Sequence, residues 1–238
     1  MIRIVVSGAL GRMGKRIIAL AEKDPALKVI GRIEKEANRE LGIAGGLNEI
    51  KSDYDCIIDF TTPKASLECA EAAKKLRKAI VIGTTGLALR EIAHLREIGK
   101  TIPVVFSPNM SVGVNVLFNL IEITCATLGG GYKVGIKEAH HVHKKDKPSG
   151  TSKLMQDIVM QKMGKNNVPC ESIREGEIIG DHDIVFESEV DTLKISHSAK
   201  TRDIFALGAL KAAKFAAKKK NGFFSMQDVL GVKSGNKD

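Results

Sequence analysis

Val5-Val6-Ser7-Gly8-Ala9-Leu10-Gly11-Arg12-Met13-Gly14 decides the fold of this chain. An apolar run, Ile2 to Val6, enters a loop whose glycines follow a Gly-x-x-Gly-x-x-Gly spacing, and a helical period at Met13, Ile17, Ile18 and Ala21 leaves it. One glycine permits the tight turn, one lets backbone N–H groups approach a pyrophosphate, and one allows helix and strand to pack closely, while the helix N-terminus favours negative charge. The spacing departs by one residue from the commoner Gly-x-Gly-x-x-Gly, so its context carries the reading. Glu34 stands about 20 residues past the last glycine, after the apolar run Leu27 to Ile33, where an acid can accept hydrogen bonds from an adenosine ribose. Strand, loop, helix, strand and acid together imply a nicotinamide dinucleotide. Glu34 favours NADH, and Arg12 with Lys35 offers positive charge to the 2′-phosphate of NADPH.

Outward from that loop, short runs rich in Ile and Val alternate with amphipathic segments: Cys56 to Phe60, Lys64 to Arg77, Ala79 to Ile82, Leu89 to Ile98 and Val104 to Phe106. This alternation predicts a Rossmann-like, doubly wound parallel α/β sheet. Phe60-Thr61-Thr62-Pro63 and Gly83-Thr84-Thr85-Gly86 follow two of its strands, where ligands of such sheets bind, and are expected to line the nicotinamide side. Beyond Ser107-Pro108-Asn109 the pattern changes to a long helix with apolar positions Val116, Leu117, Leu120, Ile121 and Leu128. A strand from Tyr132 to Ala139, a helix from Thr151 to Met163, and strands at Val168 to Arg174, Asp183 to Val190 and Leu193 to Ser198 predict an inserted α+β domain on an open, mixed or antiparallel sheet. Asp203 to Lys220 reads as a helix and the last residues as a loop. The expected division is residues 1–109 plus about 209–238 for the nucleotide and 110–208 for the substrate, with hinges near Asn109 and Phe205.

At 238 residues and 43% hydrophobic, the chain can bury a sizeable core without staples. No run approaches the roughly 18 uninterrupted apolar residues of a membrane span, and Met1 leads into Ile2 without a charged signal-peptide preamble, so the expectation is cytoplasmic and not membrane-bound. Cys56, Cys69, Cys125 and Cys170 form no Cys-x-x-Cys pair, sit among apolar neighbours and read as buried free thiols. The formal charge of +9 suits phosphorylated cofactors and carboxylates. With two tyrosines and no tryptophan, nucleic acid is the weaker partner. Lys218 to Lys220 reads as the solvated end of a helix.

The second chemical stretch is His140-His141-Val142-His143-Lys144-Lys145-Asp146-Lys147-Pro148-Ser149-Gly150-Thr151-Ser152, between a predicted strand and a predicted helix. Backbone N–H groups and the Thr151 hydroxyl at that helix N-terminus make a carboxylate cradle, with His141, Lys144 and Lys147 adding positive charge. His140, His141 and His143 point to both sides of an extended chain and lack an i, i+4 pair, so no metal is expected.

These residues, with Asp59-Phe60-Thr61, Val81 to Gly86, Asn109 to Asn115, Glu138 to Thr151, Gly180-Asp181-His182 and Phe224 to Leu230, resemble the 4-hydroxy-tetrahydrodipicolinate (dihydrodipicolinate) reductase family over nearly the whole chain. The resemblance implies hydride transfer from NADH or NADPH to a cyclic dicarboxylate, with loss of water, in the diaminopimelate route to lysine. It implies His140 as proton donor, Lys144 as catalytic lysine, and substrate contacts at His141, Gly150 and Thr151. The implied cofactor contacts are Gly8, Ala9, Leu10, Gly11, Arg12, Met13, Gly14, Glu34, Lys35, Gly83, Thr84, Thr85, Ser107, Pro108, Asn109 and Met110. It also implies a homotetramer. Two departures stand out: the short connection at Gly164 to Val168, and Lys35 where relatives often carry Arg, a point charge in place of a fork. The rival readings are another two-domain NAD(P)-dependent dehydrogenase of aspartate-derived metabolites and a non-catalytic nucleotide sensor.

Overall fold

The computed structural model describes residues 1–232. They form two units: Met1–Ser111 with Phe205–Val232, and Val112–Ile204 between them in sequence.

The first unit is built on β1 (Ile2–Ser7), α1 (Arg12–Ala21), β2 (Leu27–Ile33), β3 (Ile43–Ala44), β4 (Cys56–Asp59), α2 (Pro63–Leu76), β5 (Ala79–Ile82), α3 (Leu89–Gly99) and β6 (Pro103–Phe106). The seven-stranded sheet runs in the order β11-β6-β5-β4-β1-β2-β3, where β11 is Gly222–Phe224, and every pairing is parallel. Its central strands are buried on both faces: Ile4, Val5, Val6, Cys56, Ile57, Ile58, Ile80, Val81 and Ile82 are fully enclosed. That explains why they read as continuous apolar runs without alternation. Strand order reverses between β1 and β4, so the loops after these strands flank the crevice where such sheets bind ligands.

The second unit has α4 (Val112–Leu128), β7 (Lys133–His140), α5 (Gly150–Met163), β8 (Cys170–Arg174), β9 (Asp181–Glu187) and β10 (Thr192–Ser198). Its four strands run β10-β9-β7-β8, antiparallel except for the parallel pair β7 and β8. Val134 and Ile136 point into a core shared with Val114, Leu117, Phe118 and Ile121 of α4 and Met155 and Val159 of α5. Among the described residues Val112–Gly131 is long and apolar enough, by composition, to cross a membrane. It escaped a count of uninterrupted apolar residues because Asn115, Asn119 and Glu122 break the run.

Several sequence expectations needed adjustment. The C-terminal segment is more than a loop: β11 adds an edge strand and α7 (Met226–Leu230) follows, capped by Ser225, whose hydroxyl accepts from the Asp228 N–H at 3.3 Å. Residues 233–238, which the same expectation covered, lie outside the described residues. The helix from Asp203, α6, ends at Ala216 and not Lys220. Lys219 is also more than a solvated charge, because its ammonium lies 4.6 Å from the Phe215 ring centroid. Cys69 and Cys170 are only half-buried, and all four thiols are free.

Candidate active site

In the first unit two of the three loop glycines, Gly8 and Gly14, have a visible steric reason. Gly8 sits at φ +75°, and a Cβ there would lie 2.9 Å from the Phe60 carbonyl oxygen. At Gly14 a Cβ would come within 2.1 Å of the Gly8 carbonyl oxygen, so α1 can rest on the loop only with glycine. The first intrahelical bond runs from the Lys15 N–H to the Gly11 carbonyl at 3.1 Å. The N–H groups of Arg12, Met13 and Gly14 therefore precede the helical ladder and are the ones an anion would meet. Ala9 donates back to Ile33 at 3.1 Å. The Leu10 N–H donates to Glu34 Oε1 at 2.6 Å, so the Glu34 carboxylate is drawn over the glycine loop. These residues fit a dinucleotide: the cradle has room only for backbone, and an acceptor stands at its rim.

Asp59, the last residue of β4, is fully buried beneath the neighbouring loops. Its carboxylate accepts hydroxyl bonds from Thr84 at 3.1 Å, from Thr61 at 2.9 Å and from Ser66. The Thr61 N–H donates to the Thr84 hydroxyl oxygen at 2.9 Å. Thr84, read from sequence as a crevice hydroxyl, thus spends that hydroxyl inside the protein, while Thr85 beside it is exposed. A Cβ on Gly83 would meet the Phe60 ring at 2.2 Å, so any side chain there would have to displace that ring. The Ser107 hydroxyl donates to the Asn109 carbonyl at 2.7 Å, and Pro108 next to it is exposed. Met110 is buried against Gly208, where a Cβ would come within 1.7 Å of its carbonyl oxygen.

In the second unit β7 delivers Glu138 and His140 to one face, two residues apart. Both are buried. Glu138 Oε1 accepts from Arg174 Nη2 at 2.8 Å and from the Ser149 N–H at 3.2 Å. Oε2 lies 2.9 Å from His140 Nδ1, the separation of a hydrogen bond but without its alignment, so the contact acts through charge and position. Arg174 also donates to the carbonyls of Lys144 at 3.3 Å and of Asp146, tying the loop of the sequence motif to β8. His182 stands edge-on to His140 with ring centroids 5.1 Å apart. Lys144 Nζ pairs with Asp146 Oδ1 at 2.8 Å. The Lys147-Pro148 peptide is cis, and Ser149 caps α5 by accepting the Ser152 N–H at 3.2 Å. Gly150 is exposed with open space where a Cβ would stand, and Thr151 and His141 are half-buried.

Burial pushes the Glu138 carboxyl up, but the Arg174 guanidinium and the Ser149 and Ser172 hydrogen bonds outweigh it and bring it down to about 2. Burial lowers His140; Glu138 opposes that shift and Lys144 and Arg174 reinforce it. Burial carries His182 down to about 4, so at neutral pH it is an uncharged wall. Suitable ligand atoms of Glu138, His140 and His182 lie within 4.8 Å of one another, but the cation at this carboxylate is the Arg174 guanidinium. Sequence reading did not assign roles to Glu138, Arg174 or His182. The available signal was the i, i+2 spacing of Glu138 and His140 on a strand; Arg174 and His182 need the register of β8 and β9.

A parallel sheet with a glycine loop at its switch point, joined in one chain to a unit holding a buried acid–base pair, defines an NAD(P)-dependent oxidoreductase. The family models described as dihydrodipicolinate reductase, N-terminus, and dihydrodipicolinate reductase, C-terminus, match residues 2–110 and 113–230. The 4-hydroxy-tetrahydrodipicolinate reductase of Geobacter metallireducens is 38% identical over 267 residues, covering 98% of this chain and 100% of that protein. The same-named protein of Hahella chejuensis is 37% identical with equal coverage. Both alignments are longer than this chain, so the relatives carry segments that it lacks. A solved dipicolinate-bound dihydrodipicolinate reductase from Paenisporosarcina sp. TG-14 shares the fold at TM-score 0.82 and 19% identity, over 96% of this chain and 99% of that one. A diaminopimelate (DAP) dehydrogenase of C. glutamicum shares it more loosely, at TM-score 0.59 and 11% identity, over 99% and 96%. The chain belongs to the 4-hydroxy-tetrahydrodipicolinate reductase family, NAD(P)H-dependent enzymes of the diaminopimelate route to lysine.

Proposed function

We propose that this chain carries out its family's reduction with His140 as proton donor and Lys144 as its charged partner. The observation that carries the reading is the His140 ring itself. It is buried, 2.9 Å from a carboxylate, at the end of the strand that leads into Lys144 and the N-terminus of α5. The 4-hydroxy substrate loses water to give a conjugated ring, and one hydride and one proton are then added. The nicotinamide supplies the hydride when bound. Electron density left on the ring takes a proton from His140, whose nitrogen is then recharged from solvent. Lys144 exchanges Asp146 for substrate charge. His141, Gly150 and Thr151 receive the carboxylates at the α5 N-terminus. An arriving dianion offsets the Lys144 and Arg174 charges that hold the His140 proton affinity down, so substrate binding arms the acid.

Gly8 to Gly14 and Glu34 hold the nucleotide, with Lys35 and Arg12 beside the 2′ position, and Gly83, Thr85 and Ser107 to Met110 serve the nicotinamide side. Both NADH and NADPH are used, and Lys35→Glu weakens NADPH about tenfold against NADH. The chain works in the cytoplasm as a homotetramer joined through the open face of the four-stranded sheet. That face carries Lys137 paired with Glu171 at 3.4 Å and Lys194 paired with Asp183 at 2.6 Å, and a shallow cleft between Lys137, Cys170 and Val185. Light scattering that returned a monomer at micromolar concentration would end the oligomer proposal.

The deciding assay supplies enzymatically generated substrate and follows nicotinamide oxidation. His140→Ala lowers kcat by about 10²–10⁴-fold and leaves cofactor affinity unchanged. A His140→Ala protein with wild-type turnover removes the histidine from the mechanism.

A further inference from the structure

Turnover by His140 and Lys144 leaves Glu138, Arg174, His182 and Gly180 without a task, although all four surround the same ring. Glu138 cannot swing. Oε1 is held by Arg174 Nη2 at 2.8 Å and by the Ser149 N–H at 3.2 Å, and Arg174 is itself held through the carbonyls of Ile173 at 2.6 Å and Lys144 at 3.3 Å. Oε2 has no hydrogen-bond partner and is fully enclosed, 2.9 Å from His140 Nδ1. A carboxylate oxygen so placed stabilises a proton on the near nitrogen of the ring.

The far edge of the ring is arranged differently. A Cβ on Gly180 would lie 3.0 Å from His140 Nε2, so glycine leaves that nitrogen uncrowded. His182 borders the same ring edge-on.

We propose that Glu138, locked by Arg174, is the positioning residue of the reaction: it keeps the proton of neutral His140 on Nδ1, so that Nε2 is the nitrogen that gains and delivers the catalytic proton. The proposal rests on His140 being the proton donor. The groups facing His140 are Glu138 from β7, Arg174 from β8, His182 from β9 with His197 of β10 behind it, and Lys144 and Asp146 from the loop before α5. Glu138 and Asp146 favour the charged ring; Arg174 and Lys144 oppose it.

Turnover is measured against pH for the wild type, Glu138→Gln, Glu138→Asp and His140→Ala, each with saturating cofactor. Glu138→Gln lowers kcat by about 10- to 100-fold, as loss of a partner that orients a functional imidazole does. KM for the dicarboxylate and cofactor affinity stay within about threefold. Removing the negative charge weakens proton binding by His140, so the falling limb of the kcat profile moves to lower pH, and Glu138→Asp restores part of that displacement. A Glu138→Gln enzyme with the wild-type kcat and limb, beside an inactive His140→Ala, overturns the positioning role and leaves the proton donor standing. An active His140→Ala overturns the donor reading instead. If Glu138→Gln does not fold, nitrogen NMR of ring-labelled histidine in the wild-type protein with bound cofactor decides: a neutral His140 protonated on Nδ1 supports the proposal, and one protonated on Nε2 overturns it.

Discussion

Asp59 in the first unit and Glu138 in the second are both fully buried carboxylates near the C-terminal ends of their strands, yet they are satisfied in opposite ways. Among the described residues the Asp59 carboxylate accepts from hydroxyl groups, those of Thr61, Ser66 and Thr84. Glu138 accepts a guanidinium and a backbone N–H, and faces a histidine. Hydroxyl dipoles stabilise a carboxylate without changing the local charge balance. They turn Asp59 into a joint between the loops after β4 and β5, where the cofactor is proposed to sit. A guanidinium and an imidazole make Glu138 part of a titrating system, where its charge bears on who holds a proton. The two units use the same buried group for shape in one case and, as proposed above, for proton chemistry in the other.

The harshest way to break the comparison is Arg174→Ala. It strands the Glu138 charge in the interior, and stability is expected to fall by about 3–5 kcal/mol, with activity lost in parallel; urea unfolding and turnover read the two effects.

Asp59→Ala is expected to cost about 2–4 kcal/mol, because three hydroxyls lose their acceptor. Its distinguishing mark is the pH profile of whatever activity remains, which should keep its wild-type limbs. A displaced limb would show that Asp59 also acts through protonation and would erase the contrast.

His182 sharpens the comparison through pH. Its folded value is pushed down to about 4 by burial, below the ordinary 6.5. Between those values the unfolded chain binds more protons, so stability is complete above about 6.5 and declines as pH falls toward 4, by at most about 3 kcal/mol. His182→Gln should flatten that dependence in denaturant midpoints taken at pH 7 and pH 5. Glu138 loses its own contribution lower, as pH falls from 4.5 to about 2, so the two are separable.

The smallest effect belongs to Ser66→Ala, about 1 kcal/mol, since Asp59 keeps two hydroxyl donors. Thermal unfolding would register it as a shift of about 2–4 °C, with turnover little changed.

The nucleotide-binding unit was largely legible in the sequence. β1, β4, β5 and β6 are apolar runs because both sheet faces are covered, and the glycine positions answer to contacts within their own turn or an adjacent loop. The short edge strands β3 and β11 were not legible. Two or three residues carry no periodicity, and a neighbouring strand makes them strands. The direction of the Thr84 hydroxyl was hidden for a related reason: a hydroxyl in a loop gives no sign of which side of the backbone it faces, and Asp59 claims it. In the second unit the motif from His140 to Thr151 gave the acid, the lysine and the helix N-terminus as candidates, but not the residues that hold them in place.

The sequence by itself therefore determined what is local in this protein: the strand–glycine–helix unit, the acid at Glu34, and the histidine and lysine stretch at a helix start, each encoded within a few tens of residues. Only the tertiary structure decided the environment of His140. Arg174 reaches it through the parallel register that sets it opposite His140, and His182 through the antiparallel register that sets it opposite Glu138. Register between strands so far apart in sequence is fixed by packing of the whole sheet on α4 and α5, and no short stretch of the chain contains it.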